Sequence, residues 1–369
     1  MNEPAFRYSD DLGPGAIHHL YQPTLGLKAI VVVDNVAAGT AIGGVRMSPD
    51  VSLDECFRLA RAMTFKNAAA GLPHGGGKSV IFADPSMDLE RKELLIRAFA
   101  RAIRDLVDYI PGPDMGTNEQ AMAWVRDEIG RAVGLPKAIG GIPLDEIGAT
   151  GWGLLSCADV ACEKLGMPLD GARVAVQGFG AVGKHAARFF ADRGAVLVGA
   201  ADSTATVYDG DGLDVAALIK HKESGGHIRD YQGGSQLDRE AVIGVDCDIL
   251  VPAARPDVVR ADNQAEVRAR LIVPGANIGI TSEAEELLHG RGVLCMPDFI
   301  ANAGGVICAA VEYRGGTQTG AFARIDENIR TNTAEVIARS RSGNMTPRAA
   351  AVAMARDRVR LAMSYRRFD

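Results

Sequence analysis

Residues 172–202 read ARVAVQGFGAVGKHAARFFADRGAVLVGAAD, and this stretch decides the fold. Its first six residues are a short valine-rich run, as a buried strand requires. Gly178-Phe179-Gly180-Ala181-Val182-Gly183 follows at once, and a helix over 184–193 follows that. The first glycine permits a tight turn, the second lets a pyrophosphate approach the backbone, and the third permits close helix–strand packing. Unpaired N–H groups at the helix N-terminus then face the anion. The next strand, 196–201, ends in Asp202, nineteen residues after Gly183. A carboxylate there accepts hydrogen bonds from ribose hydroxyls and repels a 2′-phosphate, so NAD is expected over NADP. Six residues of G-x-G-x-x-G alone are a weak signal. Strand, glycines, helix, strand and acid in this order are a strong one.

Outward from this unit, further strands are expected at 248–251, 271–273 and 293–295, with helices between, the rhythm of a doubly wound parallel sheet. Upstream, a helix over 150–165 ends at Gly166, and the domain boundary is placed near 148. The first half also alternates. Strands are expected at 27–34 and 41–47, and a helix starts at the capping pair Ser52 and Glu55 and stops at Gly71 and Pro73. An apolar run at 79–83, a helix over 89–107, a turn at 111–116 and a helix from Asn118 complete it. The expectation is an α/β protein of two domains: a substrate domain over 1–148 and a Rossmann NAD domain over 149–325. The last helices, about 326–369, are expected to return to the first domain.

Composition narrows the function classes. The net charge of −6 offers no general attraction for nucleic acid or an anionic membrane. No apolar run approaches a membrane span, and the N-terminus lacks the basic and apolar regions of a signal peptide; a cytoplasmic protein is expected. The six cysteines, at 56, 157, 162, 247, 295 and 308, form no CxxC pair, so neither a disulfide framework nor a metal site is expected. Asp209-Gly-Asp-Gly212 lacks the later acidic ligands of a calcium loop and reads as a hairpin turn before a helix from Asp214.

Lys66 and Lys78 lie twelve residues apart, one near a helix end and one at a strand start. A sharp turn between them can bring both ammonium groups into one cleft, where each lowers the other's pKa and burial lowers it further. One can then act as a general base while the other holds a carboxylate. By spacing alone, two surface lysines are an equal or better account. GLPHGGGKS is not a phosphate loop, because Leu72 stands where that motif needs glycine. Asp114, in a Pro/Gly turn, is either a turn acid or a proton carrier over a cleft. His74, a turn histidine among glycines, reads as structural.

Several segments together resemble one family. KNAAAGLPHGGGK (66–78), GPDMGT (112–117), ATGWG (149–153), QGFGAVG (177–183), DILVPAA (248–254), VPGANIG (273–279) and PDFIANAGGV (297–306) are similar, in order, to the signatures of the glutamate/leucine/phenylalanine/valine dehydrogenases. The resemblance implies oxidative deamination of an L-amino acid to its 2-oxo acid and ammonium. It implies that Lys66 binds the α-carboxylate, that Lys78 activates water, and that Asp114 carries protons to and from the nitrogen. Asn277 would assist the carboxylate or the nicotinamide ribose, Thr150 would bond the carboxamide, and Gly43 would line the cleft. A homo-oligomer is implied as well. A dinucleotide-binding regulator that has lost its chemistry is the alternative, and the joint presence of Lys66, Lys78 and Asp114 argues against it.

The resemblance also bears on substrate. Glutamate enzymes of the family carry lysine where this chain has Ile42, and serine where it has Ala309. Without them an acidic side chain would be desolvated unpaired. Leucine enzymes carry alanine and valine at the positions of Gly112 and Ala309; both are smaller here, leaving room for an aromatic ring, with Val306 as a further wall. Phenylalanine is the expected substrate, ahead of leucine or valine.

Overall fold

The structure is a computed structural model that describes residues 6–367. It divides into two compact units, one of residues up to 143 with 309–320 and the chain from 352 on, the other of 144–308 with 321–351.

The first unit is built on a five-stranded sheet. Its strands are β1 (Ala16–Gln22), β2 (Leu27–Asn35), β3 (Ala41–Met47), β4 (Gly76–Ile81) and β5 (Tyr109–Pro113), in spatial order β1-β2-β4-β3-β5. β2 shows why the sheet is covered on both faces. Leu27, Ala29, Val31 and Val33 point to one core with Leu95, Ile96, Phe99, Met122 and Val125. The alternate residues Ile30 and Val32 point to another with Cys56 and Ala60, as the two-residue period of a strand dictates. The helices supplying these side chains are α1 (Leu53–Ala69), α2 (Leu89–Ala102) and α3 (Glu119–Ile129). Ser52 caps α1, its hydroxyl accepting the Glu55 N–H at 3.1 Å. The Glu55 carboxylate bonds Arg46 at 2.5 Å.

Two expectations for this unit are corrected. Residues 111–113, expected as part of a turn, complete β5, which pairs in parallel with β3 in the register Gly43↔Pro111 and Gly44↔Gly112. Proline lacks a ladder N–H and glycine packs no side chain, so local propensity hides an edge strand that tertiary pairing creates. α2 ends at Ala102 rather than 107, because Ile103 leaves helical geometry at φ −101° and ψ 10° and a run of turns follows.

The second unit opens with α4 (Leu144–Ile147) and α5 (Ala149–Leu165), the latter ended by Gly166 at φ 62°. Its sheet contains β6 (Arg173–Gln177), β7 (Val196–Ala201), β8 (Thr206–Tyr208), β9 (Ser235–Leu237), β10 (Ile249–Pro252), β11 (Leu271–Ile272) and β12 (Leu294–Cys295). The order is β12-β11-β10-β6-β7-β8-β9. The first five run parallel, while β8 and β9 form an antiparallel edge. These two strands of three residues each carry no apolar run of strand length, so the sequence conceals them. Helices α6 (Ala181–Asp192), α7 (Val215–Glu223), α8 (Ser282–Gly290), α9 (Asp298–Ala301), α10 (Gly304–Tyr313), α11 (Gln318–Gly343) and α12 (Pro347–Ser364) complete the chain. The turn at 209–212 links β8 to α7 and is not a hairpin; Asp214 caps α7 through the Ala217 N–H at 2.9 Å.

The unit boundaries differ from those expected. The second unit begins at 144 rather than 149, and most of α11 belongs to it; only from 352 does the C-terminal chain belong to the first. Among the described residues, no helix is long and apolar enough to cross a membrane.

Candidate active site

In the first unit three adjacent strands bring a lysine and an aspartate together. Lys78 stands on β4 and Asp114 directly follows β5, with β3 between them. Lys78 reaches across β3 and forms an ion pair with Asp114, their side chains 8% and 19% exposed. The crossing depends on glycine: a Cβ at Gly44 would lie 2.7 Å from Asp114 Cβ and 3.0 Å from Lys78 Nζ. Gly43 is constrained differently, since its Cβ would fall 1.6 Å from the Gly77 carbonyl oxygen. The buried Tyr109 hydroxyl donates to the Gly43 carbonyl at 2.8 Å and lies 3.0 Å from Ser79 Oγ, tying the three strands together. Burial opposes ionisation of Asp114, but the charges of Lys78 and Arg46 and the Met115 N–H outweigh it and hold the carboxyl below its ordinary range. Arg46 Nε stands 3.4 Å from the same carboxylate.

Lys66 is half-buried in the last turn of α1. His74 is buried, with Nδ1 3.1 Å from the Thr40 carbonyl; burial holds its imidazole below the ordinary range, so it stays neutral. The six cysteines are all buried, and none forms a disulfide among the described residues. Burial pushes the Cys56 and Cys157 thiols up to about 12, which leaves them protonated and poor nucleophiles.

Ile42, Ile110, Val133 and Ala309 form one buried apolar cluster. Gly112 belongs beside it, because a Cβ there would meet Val133 Cγ2 at 3.0 Å. Part of the space that glycine leaves at 112 is therefore taken by Val133, a residue the sequence reading did not single out. Val306 is half-buried on α10 and falls in the second unit.

In the second unit the three glycines of the 178–183 turn behave as three different devices. Gly178 has φ 97°, and a Cβ on it would strike Ala254. At Gly183 the Cβ would lie 2.0 Å from the Gly178 carbonyl oxygen. Gly180 faces open space, with nothing within 4 Å of its Cβ position, and α6 begins there with no side-chain cap on its N–H groups. Phe179 is fully buried, while Ala181 and Val182 form the first turn of α6. A cleft of about 610 Å³ opens at this turn, lined also by Asp202, Lys222 and Ala254. It lies where the sheet order switches between β6 and β10. An open second glycine beside uncapped N–H groups fits the pyrophosphate of a dinucleotide.

Asp202 is placed as expected but is not free. One oxygen accepts from the Thr204 N–H and hydroxyl at 2.8 and 2.6 Å, the other from Lys222 Nζ at 2.6 Å and the Ile228 N–H at 2.9 Å. Burial opposes its ionisation, yet these donors hold the carboxyl far below its usual range. Lys222 offsets the charge expected to repel a 2′-phosphate, which weakens that part of the sequence argument. No local pattern reveals Lys222, since it reaches Asp202 from the far end of α7.

Asn277 sits on an exposed turn after β11, and its side-chain oxygen accepts from Asn302 Nδ2 at 2.9 Å. Thr150 lies in the first turn of α5, its hydroxyl 3.6 Å from the Cβ position of Gly305. The residues thus gather into three groups: Lys78 with Asp114, the Ile42 cluster with Gly112, and the dinucleotide turn with Asp202.

Two family models match the chain. Glutamate/Leucine/Phenylalanine/Valine dehydrogenase covers residues 140–367 and Glu/Leu/Phe/Val dehydrogenase, dimerisation domain, covers 22–131. The glutamate dehydrogenase of Aeropyrum pernix is 38% identical over 322 residues, covering 82% of this chain and 77% of that protein. The NADP-specific glutamate dehydrogenase of Saccharolobus shibatae is 38% identical over 299 residues, covering 78% and 70%. Among solved structures, the hetero-hexameric glutamate dehydrogenase of Thermus thermophilus in its leucine-bound form superposes with a TM-score of 0.82 at 31% identity, covering 95% of this chain and 89% of that one.

Proposed function

This chain belongs to the glutamate/leucine/phenylalanine/valine dehydrogenase family, and we propose that within it the chain deaminates an apolar L-amino acid, phenylalanine ahead of leucine or valine. The observation that carries this reading is the apolar wall formed by Ile42 and Ala309, 4% and 8% exposed, with Ile110 and Val133. A γ-carboxylate brought against it would be desolvated without a partner, at a cost of about several kcal/mol. The relatives above are named for glutamate, and Ile42 and Ala309 stand where the resemblance places a carboxylate-binding lysine and a serine in the glutamate enzymes alone. With no Cβ at 112, Val133 settles against β5, and a small residue at 309 is what a large substrate side chain would require.

The reaction converts an L-amino acid, NAD⁺ and water to a 2-oxo acid, ammonium, NADH and a proton. The nicotinamide, when bound, supplies the hydride acceptor for Cα. In our reading Lys66 holds the α-carboxylate by charge. Lys78 takes a proton from the water that adds to the imino carbon, and Asp114, already in contact with Lys78, passes protons to and from the substrate nitrogen. Asn277 steadies the carboxylate or the nicotinamide ribose, Thr150 the carboxamide. Gly178 to Gly183 hold the pyrophosphate and Asp202 the adenosine ribose. We also propose a homo-oligomer, in keeping with a matched model described as a dimerisation domain.

The test is NADH formation from NAD⁺ with phenylalanine, leucine, valine and glutamate in turn. Phenylalanine should give the highest kcat/KM. A preference for leucine or valine would keep the apolar reading and remove the aromatic one; a preference for glutamate would remove both. Lys78→Ala should abolish turnover with every substrate and leave NADH binding intact.

A further inference from the structure

Ile278, the neighbour of Asn277, has φ 55°. A β-branched residue in the left-handed region is a true outlier, and packing does not explain it, for the Ile278 side chain is 56% exposed. Its backbone is gripped instead. The N–H donates to Asp298 Oδ2 at 2.7 Å, and the carbonyl accepts the Asp257 N–H at 2.8 Å. Asp298 is itself buried, and its other oxygen accepts from Arg348 Nη2 at 2.8 Å. Arg348, in the first turn of α12, is oriented by two further bonds to the buried Glu285, at 2.6 and 2.7 Å. One turn beyond Asp298, Asn302 donates to Asn277 Oδ1 and to the Gly275 carbonyl, at 2.9 and 3.3 Å. Both ends of the 275–278 turn are therefore tied to α9, and α9 is tied to α12 through one guanidinium.

We propose that Arg348, acting through Asp298, is a positioning residue that holds Ile278 in its left-handed conformation and so aims the Asn277 side chain. The inference rests on the proposed role of Asn277 at the substrate or the nicotinamide ribose. A chain that kept this turn only for stability would carry glycine or asparagine at 278, which adopt the conformation without strain. Isoleucine there makes the turn depend on the Asp298 bond.

The dependence is tested by rescue. Asp298→Asn in the full-length enzyme should lower kcat about tenfold, with NADH affinity by fluorescence titration nearly unchanged. Adding Ile278→Gly should restore most of the lost rate, because glycine holds the left-handed conformation unaided. A purely structural Asp298 would show no such rescue, since glycine at 278 does nothing for the lost Asp298–Arg348 ion pair. Absence of rescue, or a wild-type rate for Asp298→Asn, overturns the proposal. If Asp298→Asn does not fold, Arg348→Lys, whose single nitrogen cannot serve both carboxylates in the same geometry, is put through the same rescue with the same two outcomes. Asn277→Ala separates the two layers. If it turns over normally, the assignment of Asn277 falls and the positioning role with it. If it is impaired while Asp298→Asn is not, the positioning role alone falls.

Discussion

Gly44→Ala tests the proposed catalytic geometry most directly, because the obstacle it creates is made mainly of the two side chains proposed to act, Lys78 and Asp114. An alanine Cβ would sit 2.7 Å from Asp114 Cβ, 3.0 Å from Lys78 Nζ and 3.1 Å from the Pro113 carbonyl oxygen. Carbon atoms in contact prefer about 3.5–4.0 Å, so Asp114 must retreat by about 1 Å and Lys78 must leave its present path. A displacement of that size in a reacting group costs about 10²-fold in rate, or about 2.7 kcal/mol of transition-state stabilisation. The fold should survive, with an overpacking cost of about 1–3 kcal/mol. Gly43→Ala offers the contrast: its Cβ meets neighbouring backbone at 1.6 Å, and that variant should lose the sheet itself. The assay is initial-rate NADH formation at saturating NAD⁺, with circular dichroism and NADH fluorescence titration on the same preparation. A folded Gly44→Ala protein that binds NADH and turns over at the wild-type rate would refute the idea that Lys78 and Asp114 work as a crossed pair over β3.

Other consequences concern specificity. Gly112→Ala presses on Val133 Cγ2 at 3.0 Å and should lower kcat/KM for phenylalanine relative to leucine by about tenfold, the scale of one methylene in an apolar pocket; an unchanged ratio means position 112 does not shape the side-chain pocket. Ile42→Lys combined with Ala309→Ser should admit glutamate while lowering the thermal midpoint, since an ammonium enters a buried apolar cluster. Added glutamate should recover part of that midpoint, and the absence of any glutamate turnover would count against the assignment of both positions. Lys222→Ala removes the cation 2.6 Å from Asp202; the uncompensated carboxylate should raise the NAD-over-NADP ratio of kcat/KM by about tenfold, and equal loss with both cofactors would show that Lys222 does not screen the ribose site.

Features carried by adjacent residues are legible in the sequence. The strand, glycine turn and helix of 173–192 are specified by a valine run, three glycines at fixed spacing and an amphipathic stretch. The same holds for the Ser52 cap and the Gly166 stop. The strand β5 and the antiparallel edge β8–β9 were not legible, because short, proline-bearing or polar strands exist only by virtue of a partner ladder. Tertiary structure alone decided the rest of the site. It set Gly44 beneath the Lys78–Asp114 pair, filled the space at Gly112 with Val133, and matched Asp202 with Lys222. Each joins residues that the chain keeps 20 or more positions apart. Local propensity acts over a turn or two of chain, whereas steric exclusion and charge pairing act through space, and only the folded sheet brings those atoms within reach of one another.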